Sequence, residues 1–87
     1  MVSTKSVTKI DKFIGKRVYQ LRMSQRMSRQ KLASKIGVTR QQCQKYEAGI
    51  DRIAASRLFV ICKVLGVSIG EIFSGLKIKV KERGVHQ

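Results

Sequence analysis

The sequence predicts an all-α fold, a compact bundle of five helices in one small domain. The chain has 87 residues, of which 43% are hydrophobic, and this suits a single core. It contains no proline. Apolar residues recur at helical spacing from Ile10 to Ile72. Serine or threonine precedes most of these runs and glycine follows most of them, as at the ends of helices.

The first helix is predicted to run roughly from Lys9 to Gln25. Thr8 and Asp11 have the spacing of a capping box at its start. Helical spacing separates an apolar face from a polar one. The predicted apolar face consists of Ile10, Phe13, Ile14, Val18 and Leu21, and the polar remainder includes Lys12, Lys16, Arg17 and Arg22.

Two short helices follow, each with its own start and stop signals. The second is capped by Ser28 and ends at Gly37, and the third is capped by Thr39 and ends before Gly49, over residues 40–48. Gln42 completes a predicted capping box with Thr39. The residues predicted to point into the core are Leu32, Ala33 and Ile36 from the second helix and Cys43 and Tyr46 from the third.

The fourth helix is predicted to span roughly Ala55 to Leu65, ending at Gly66. A short fifth helix starts at Ser68, where Glu71 completes a capping box, and Gly75 closes it. We therefore divide the chain into a flexible tail (1–8), a helical domain (9–75) and a basic C-terminal tail (76–87). In that last tail Leu76, Ile78 and Val80 alternate with lysines, which predicts a strand or a dimerisation arm, with disorder as the alternative.

The charge restricts the function classes more than any other feature. The formal net charge is +14 and the isoelectric point is about 10.7, which indicates a polyanionic partner. Cys43 and Cys62 are interpreted as buried reduced thiols, and with a single histidine they cannot form a closed zinc site. We expect no cofactor, no metal and no membrane span, and a cytoplasmic protein. The five acidic residues show no paired arrangement, so an enzyme is not expected.

The second and third helices have the spacing of a helix-turn-helix, joined by the short turn Gly37-Val38-Thr39. With Cys43 and Tyr46 inward, the third helix presents one outer stripe of long hydrogen-bonding side chains. Arginine and lysine suit the acceptor edge of guanine, and glutamine suits adenine. The predicted base-contacting residues are Arg40 and Gln41 first, then Gln44 and Lys45. A solvated polar face is the alternative.

Contacts to DNA phosphates are predicted beside that stripe. The start of the second helix favours anions, and the start of the third and the loop that follows it supply further donors. Glu47, near the end of the third helix, is expected to make a structural contact. The predicted phosphate contacts are Ser28, Arg29, Gln30, Thr39, Arg52 and Arg57.

From Gly15 to Phe73 the chain resembles the lambda-repressor-like helix-turn-helix family of phage repressors, Cro proteins and Xre-type regulators. The resemblance rests on Arg22, Met27-Ser28, Lys31-Leu32-Ala33, Ile36-Gly37-Val38-Thr39, Tyr46-Glu47-x-Gly49 and Leu65-Gly66-Val67-Ser68. It implies a five-helix bundle, a recognition helix that starts at Thr39, and dimeric operator binding. Arg29 stands where the family usually has a glutamine that braces the recognition helix and touches a phosphate, so the bracing role is left open.

We therefore expect a sequence-specific regulator of transcription, interpreted as a bacterial or phage-encoded repressor that binds an inverted-repeat operator as a homodimer. Two alternatives remain open at this point: an antitoxin-type module that binds a partner such as a toxin as well as DNA, and a non-specific packaging protein. The residues suspected of forming the dimer are Ile69, Phe73, Leu76 and Ile78, with Phe73 equally assignable to the core.

Overall fold

A computed structural model describes residues 7–77, and within them the chain forms five α-helices and no strand. The helices are α1 (Lys9–Ser24), α2 (Arg29–Ile36), α3 (Arg40–Glu47), α4 (Ala55–Leu65) and α5 (Ile69–Ile72). The predicted all-α, five-helix fold is confirmed. No helix in this part of the chain is long and apolar enough to cross a membrane. The two predicted tails fall almost wholly outside the described residues.

Polar side chains cap four of the five helices at their N-termini. At α1 the Thr8 hydroxyl accepts from the backbone N–H of Asp11 at 3.1 Å, and the Asp11 carboxylate accepts from the Thr8 N–H at 2.8 Å, so the capping box is complete. Ser68 and Glu71 form the same box at α5. These bonds satisfy backbone donors that the first turn of a helix leaves without an internal partner.

The predicted capping box at α3 is only half formed. The Thr39 hydroxyl accepts from the N–H of Gln42 at 3.0 Å. The Gln42 side chain does not return to the cap, because its amide donates to the Asp51 carboxylate at 3.0 Å. A charged acceptor binds an N–H group more strongly than a neutral one, so the side chain ties α3 to the following loop.

One apolar core joins all five helices. Leu32, Ala33 and Ile72 are fully buried. Both cysteines are buried free thiols, and burial raises their pKa, that of Cys43 to about 11. The complete set of buried apolar residues is Ile14, Val18, Leu32, Ala33, Ile36, Cys43, Ile53, Leu58, Ile61, Cys62, Leu65 and Ile72.

The first helix crosses the end of α3 at backbone contact distance, and Gly15 makes this possible. A Cβ atom at Gly15 would lie 2.2 Å from the carbonyl oxygen of Tyr46. The same helix is joined to α4 by a 2.6 Å bond from the Gln25 amide to the Leu65 carbonyl. These contacts make α1 the support against which the α2–α3 pair is held.

Candidate DNA interface

The turn between α2 and α3 fixes the angle at which the two helices meet. Gly37 ends α2 with φ 77°, a left-handed conformation that glycine adopts without a steric cost. The next N–H, from Val38, donates to the Ala33 carbonyl at 3.0 Å and closes the end of α2. Thr39 then begins α3 at once. The compact turn and the buried Ala33 let α2 and α3 pack closely as a helix-turn-helix.

The outer face of α3 carries the four residues that the sequence assigns to base contacts. Arg40, Gln41, Gln44 and Lys45 are all exposed. Positions three and four apart share one side of a helix, so the structure brings these four side chains together as one stripe. None of them is acidic. We call these four residues the recognition stripe.

The C-terminal end of α3 is anchored by a buried carboxylate. Glu47 accepts from Arg22 through two bonds, Nε to Oε2 at 2.6 Å and Nη2 to Oε1 at 3.0 Å. The Arg22 guanidinium also donates to the Met27 carbonyl at 2.7 Å. The hydrogen bond to Glu47 raises the pKa of Arg22, so its charge is permanent. The expected structural contact of Glu47 is therefore present.

The placement of Arg22 on the polar surface of the first helix was wrong. Arg22 is 4% exposed, because α1 meets the C-terminal half of α3 where Glu47 needs a cation. Helical periodicity treats a charged residue as external, and it has no means to anticipate a buried partner 25 positions away. The one sequence signal for this pairing was the family resemblance, because Arg22 and Glu47 are both among the residues that carry it.

Arg29, which stands in place of the family's bracing glutamine, makes a contact with α3. Its Nε donates to Oε1 of Glu47 at 3.0 Å, and its side chain is 27% exposed. The start of α2 is therefore joined to the end of α3 by an ion pair rather than by a glutamine bond. Arg29 and Arg22 therefore share Oε1 of Glu47 as an acceptor at the end of α3.

The remaining residues predicted to contact phosphates differ in their exposure and in their hydrogen-bond partners. Ser28, Gln30 and Thr39 are exposed at the starts of α2 and α3, with the two hydroxyls engaged in caps. The Arg52 side chain is 40% exposed and its Nε donates to Asp11 at 3.2 Å. Arg57 donates to the carbonyl of Ile36 at the end of α2. Arg57 thus holds the helix-turn-helix in place from α4.

The residues suspected of forming a dimer differ in their exposure where the structure describes them. Ile69 is 52% exposed, whereas Phe73 is half-buried against the core. Leu76 is also only partly exposed, and Ile78 lies outside the described residues. The sequence interpretation missed Phe59, which is 61% exposed on α4. Its position one residue from the inward-facing Leu58 was the signal that could have found it.

A helix-turn-helix that exposes basic and amide side chains on its second helix is the arrangement typical of DNA-binding domains that place this helix in the major groove. The family model described as Helix-turn-helix matches residues 18–72, and the chain belongs to this family.

Two curated relatives are named as HTH-type transcriptional regulators, one from Rickettsia conorii and one from Rickettsia prowazekii. They are 48% and 46% identical to this chain over 80 residues, which is 92% of this chain. The matched part is 64% and 62% of the relatives' own length, so this chain spans less than two thirds of them. The part of these regulators that the chain matches includes its helix-turn-helix, residues 18–72.

A solved structure with the same fold is that of a restriction-modification controller protein, a tetramer in complex with its natural 35 base-pair operator. It has a TM-score of 0.68 and 21% identity, and the match covers 76% of this chain and 87% of that one. At this identity the likeness concerns the fold.

Proposed function

We propose that this chain acts in the bacterial cytoplasm as a sequence-specific repressor, which inserts α3 into the major groove of an operator and occludes it. The observation that carries the proposal is the recognition stripe: four long hydrogen-bonding side chains on one face of a helix whose C-terminal end is anchored through Glu47. Direct contact with base edges requires a helix that is held in a fixed position, because a side chain forms two hydrogen bonds to one base only in the right geometry.

Within the stripe, Arg40 and Gln41 are the proposed primary base contacts because residues near the start of a recognition helix lie deepest in the groove. Gln44 and Lys45, one turn later, are the proposed secondary contacts.

The phosphate contacts that we propose surround this stripe and fix its register on the duplex. The exposed Gln30 and the helix starts at Ser28 and Thr39 belong to the helix-turn-helix, and Arg52 follows α3 in the chain. Arg29 uses Nε for Glu47, which leaves the Nη groups of its guanidinium as the proposed phosphate donors. Arg57 donates to the Ile36 carbonyl at the end of α2, and we propose that its remaining N–H groups contact a phosphate.

A homodimer on an inverted repeat is the assembly that we propose. One recognition helix touches only a few base pairs, and two copies related by a two-fold axis would contact half-sites about 34 Å apart. The controller protein with the same fold, which is a tetramer on its operator, supports an oligomeric mode of binding for this chain.

The test compares Arg40→Ala with Gln30→Ala by fluorescence anisotropy, on a selected operator and on a random duplex at one salt concentration. Arg40→Ala should weaken operator binding by about 1–3 kcal/mol and relax the preference at one base pair, with little effect on the random duplex. Gln30→Ala should weaken both duplexes alike, since phosphate contacts carry no sequence information.

Lys16→Ala is the matched control. Lys16 is exposed on α1, outside α2 and α3, so removing its charge should change both affinities little. If Arg40→Ala weakens the operator and the random duplex equally, Arg40 makes no base contact and the assignment of the stripe is wrong.

A further inference from the structure

A hollow lies on the surface where α1, the start of α2 and the end of α3 meet. It has a volume of about 260 Å³ and is lined by Tyr19, Arg29, Gln44, Glu47 and Ala48. Gln44 belongs to the recognition stripe, so the hollow borders the face that the proposed function places in the major groove. We call this surface the α1–α3 hollow.

The charged groups at the α1–α3 hollow leave a cationic excess. Both carboxylate oxygens of Glu47 accept from Arg22, at 2.6 and 3.0 Å, and Oε1 also accepts from Arg29 at 3.0 Å. Two guanidinium groups therefore face one carboxylate, and Glu47 is the only acid among the described residues that line the hollow. An anion with a single charge would balance this cluster.

Arg29 has donors left for such an anion, whereas Arg22 has none. All three nitrogens of Arg22 are engaged, two with Glu47 and the third with the Met27 carbonyl, and its side chain is 5% exposed. Arg29 uses Nε for Glu47, which leaves its Nη groups, and its side chain is 27% exposed. Arginine Nη groups form strong charge-assisted hydrogen bonds with phosphate oxygens.

Tyr19 brings a further donor to the hollow from α1. It is 40% exposed and lines the hollow, and its hydroxyl makes no hydrogen bond to another residue between 7 and 77. The guanidinium carbon of Arg22 lies 5.5 Å from the centre of the Tyr19 ring, an attraction between a cation and an aromatic face that holds the ring in place. A phenolic hydroxyl can donate one hydrogen bond to an anion.

We infer that the α1–α3 hollow binds one phosphate group of the DNA backbone, which accepts hydrogen bonds from the Tyr19 hydroxyl and the Nη groups of Arg29. A phosphodiester carries one negative charge, which matches the excess of the cluster. Its source is the duplex rather than a free phosphate ion, because Gln44 at the hollow belongs to the helix that lies between the two backbones of the groove. The inference rests on the proposed function and adds Tyr19 to the contacts that fix the register of α3.

The test removes the hydroxyl alone, with Tyr19→Phe, and measures binding of the full chain to DNA by fluorescence anisotropy at several salt concentrations. The dissociation constant should rise about tenfold on a selected operator and on a random duplex alike, because a phosphate contact carries no sequence information. The slope of log affinity against log salt should stay unchanged, since the phenol is neutral. The ring and its contact with Arg22 remain, so the urea midpoint should also stay unchanged.

Tyr46→Phe is the matched control, because Tyr46 packs against the core and does not line the hollow. It removes the same group from α3 and should leave both dissociation constants unchanged. Equal affinities of the wild-type chain and Tyr19→Phe would overturn the inference. A loss with Tyr46→Phe as large as the loss with Tyr19→Phe would overturn it as well.

Operator duplexes that carry one uncharged methylphosphonate at a time locate the phosphate. At one position in each half-site the substitution should weaken wild-type binding about tenfold and Tyr19→Phe binding much less, because that variant has already lost the hydrogen bond. Equal losses for the two proteins at every position would overturn the inference.

Inorganic phosphate distinguishes the two sources of the anion. Replacing chloride with phosphate at constant ionic strength should weaken DNA binding by the wild-type chain and by Tyr19→Phe to the same extent. A larger loss for the wild-type chain would show that the hollow holds a free phosphate ion, and it would overturn the assignment to the DNA backbone.

The same binding data separate this inference from the proposed function. A chain that binds operator and random duplexes equally, yet loses affinity for both with Tyr19→Phe, refutes sequence-specific binding alone. A chain that prefers its operator, but whose Tyr19→Phe variant binds as tightly as the wild type, refutes the phosphate contact alone.

Discussion

Replacing Glu47 with alanine should be the most destabilising single change among the polar residues of this domain. The substitution leaves the guanidinium of Arg22, a residue that is 4% exposed, without its carboxylate. Breaking a buried ion pair by removing one partner costs about 3–5 kcal/mol. Arg22 keeps its bond to the Met27 carbonyl, and Arg29 is exposed enough to turn to water, so we expect about 3 kcal/mol.

Urea denaturation followed by circular dichroism measures this loss. With an m-value of about 1.5 kcal/mol/M, a loss of 3 kcal/mol lowers the urea midpoint by about 2 M. Asp51→Ala is the control: it removes a carboxylate that binds the Gln42 amide at a partly exposed site, and it should cost about 1 kcal/mol or less. A loss below about 1 kcal/mol for Glu47→Ala, at an unchanged m-value, would refute the claim that this carboxylate anchors α3.

Three further predictions concern α1 and the thiols. Asp11→Asn should lower the free energy of unfolding at neutral pH, because hydrogen bonds of the helix cap hold the pKa of Asp11 below its ordinary 3.8. That contribution is present above pH 3.8 and is lost as pH falls through the folded pKa. The urea midpoints of the two proteins should therefore converge in acid, and a gap that stays constant with pH would contradict this prediction. Gly15→Ala should cost about 1–3 kcal/mol or more by forcing α1 away from α3, while Gly70→Ala, whose Cβ would meet only an ordinary 3.7 Å contact, should not destabilise the fold in the same melting experiment. Cys43 and Cys62 should react with a thiol reagent at pH 8 only on unfolding, since burial raises the pKa of both, and rapid labelling of the native chain would contradict their placement.

The features that depend on neighbouring residues along the chain could be predicted from the sequence. Thr8 with Asp11 and Ser68 with Glu71 form capping boxes at the predicted helix starts, and Gly37 ends α2 in the left-handed conformation. The recognition stripe also follows from local periodicity, since fixing Cys43 inside fixes which side of α3 faces out.

The features that depend on distant partners could not be predicted in the same way. Arg22 and Glu47 are separated by 25 positions, and only the crossing of α1 over α3 brings them together. The bond from Arg57 to the end of α2 joins residues 21 apart and has no periodic signature. The exposure of Phe59 differs from these cases, because its position next to the inward-facing Leu58 is a local signal.

The most direct test of the central claim is a selection of randomised duplexes on the purified chain at moderate salt, followed by sequencing of the bound fraction. We predict an enriched inverted repeat whose half-sites are about one helical turn apart, with guanine or adenine where Arg40 and Gln41 contact the bases. Retention of duplexes without any enriched sequence would contradict the claim that α3 reads bases and would indicate a protein that binds DNA through its charge alone.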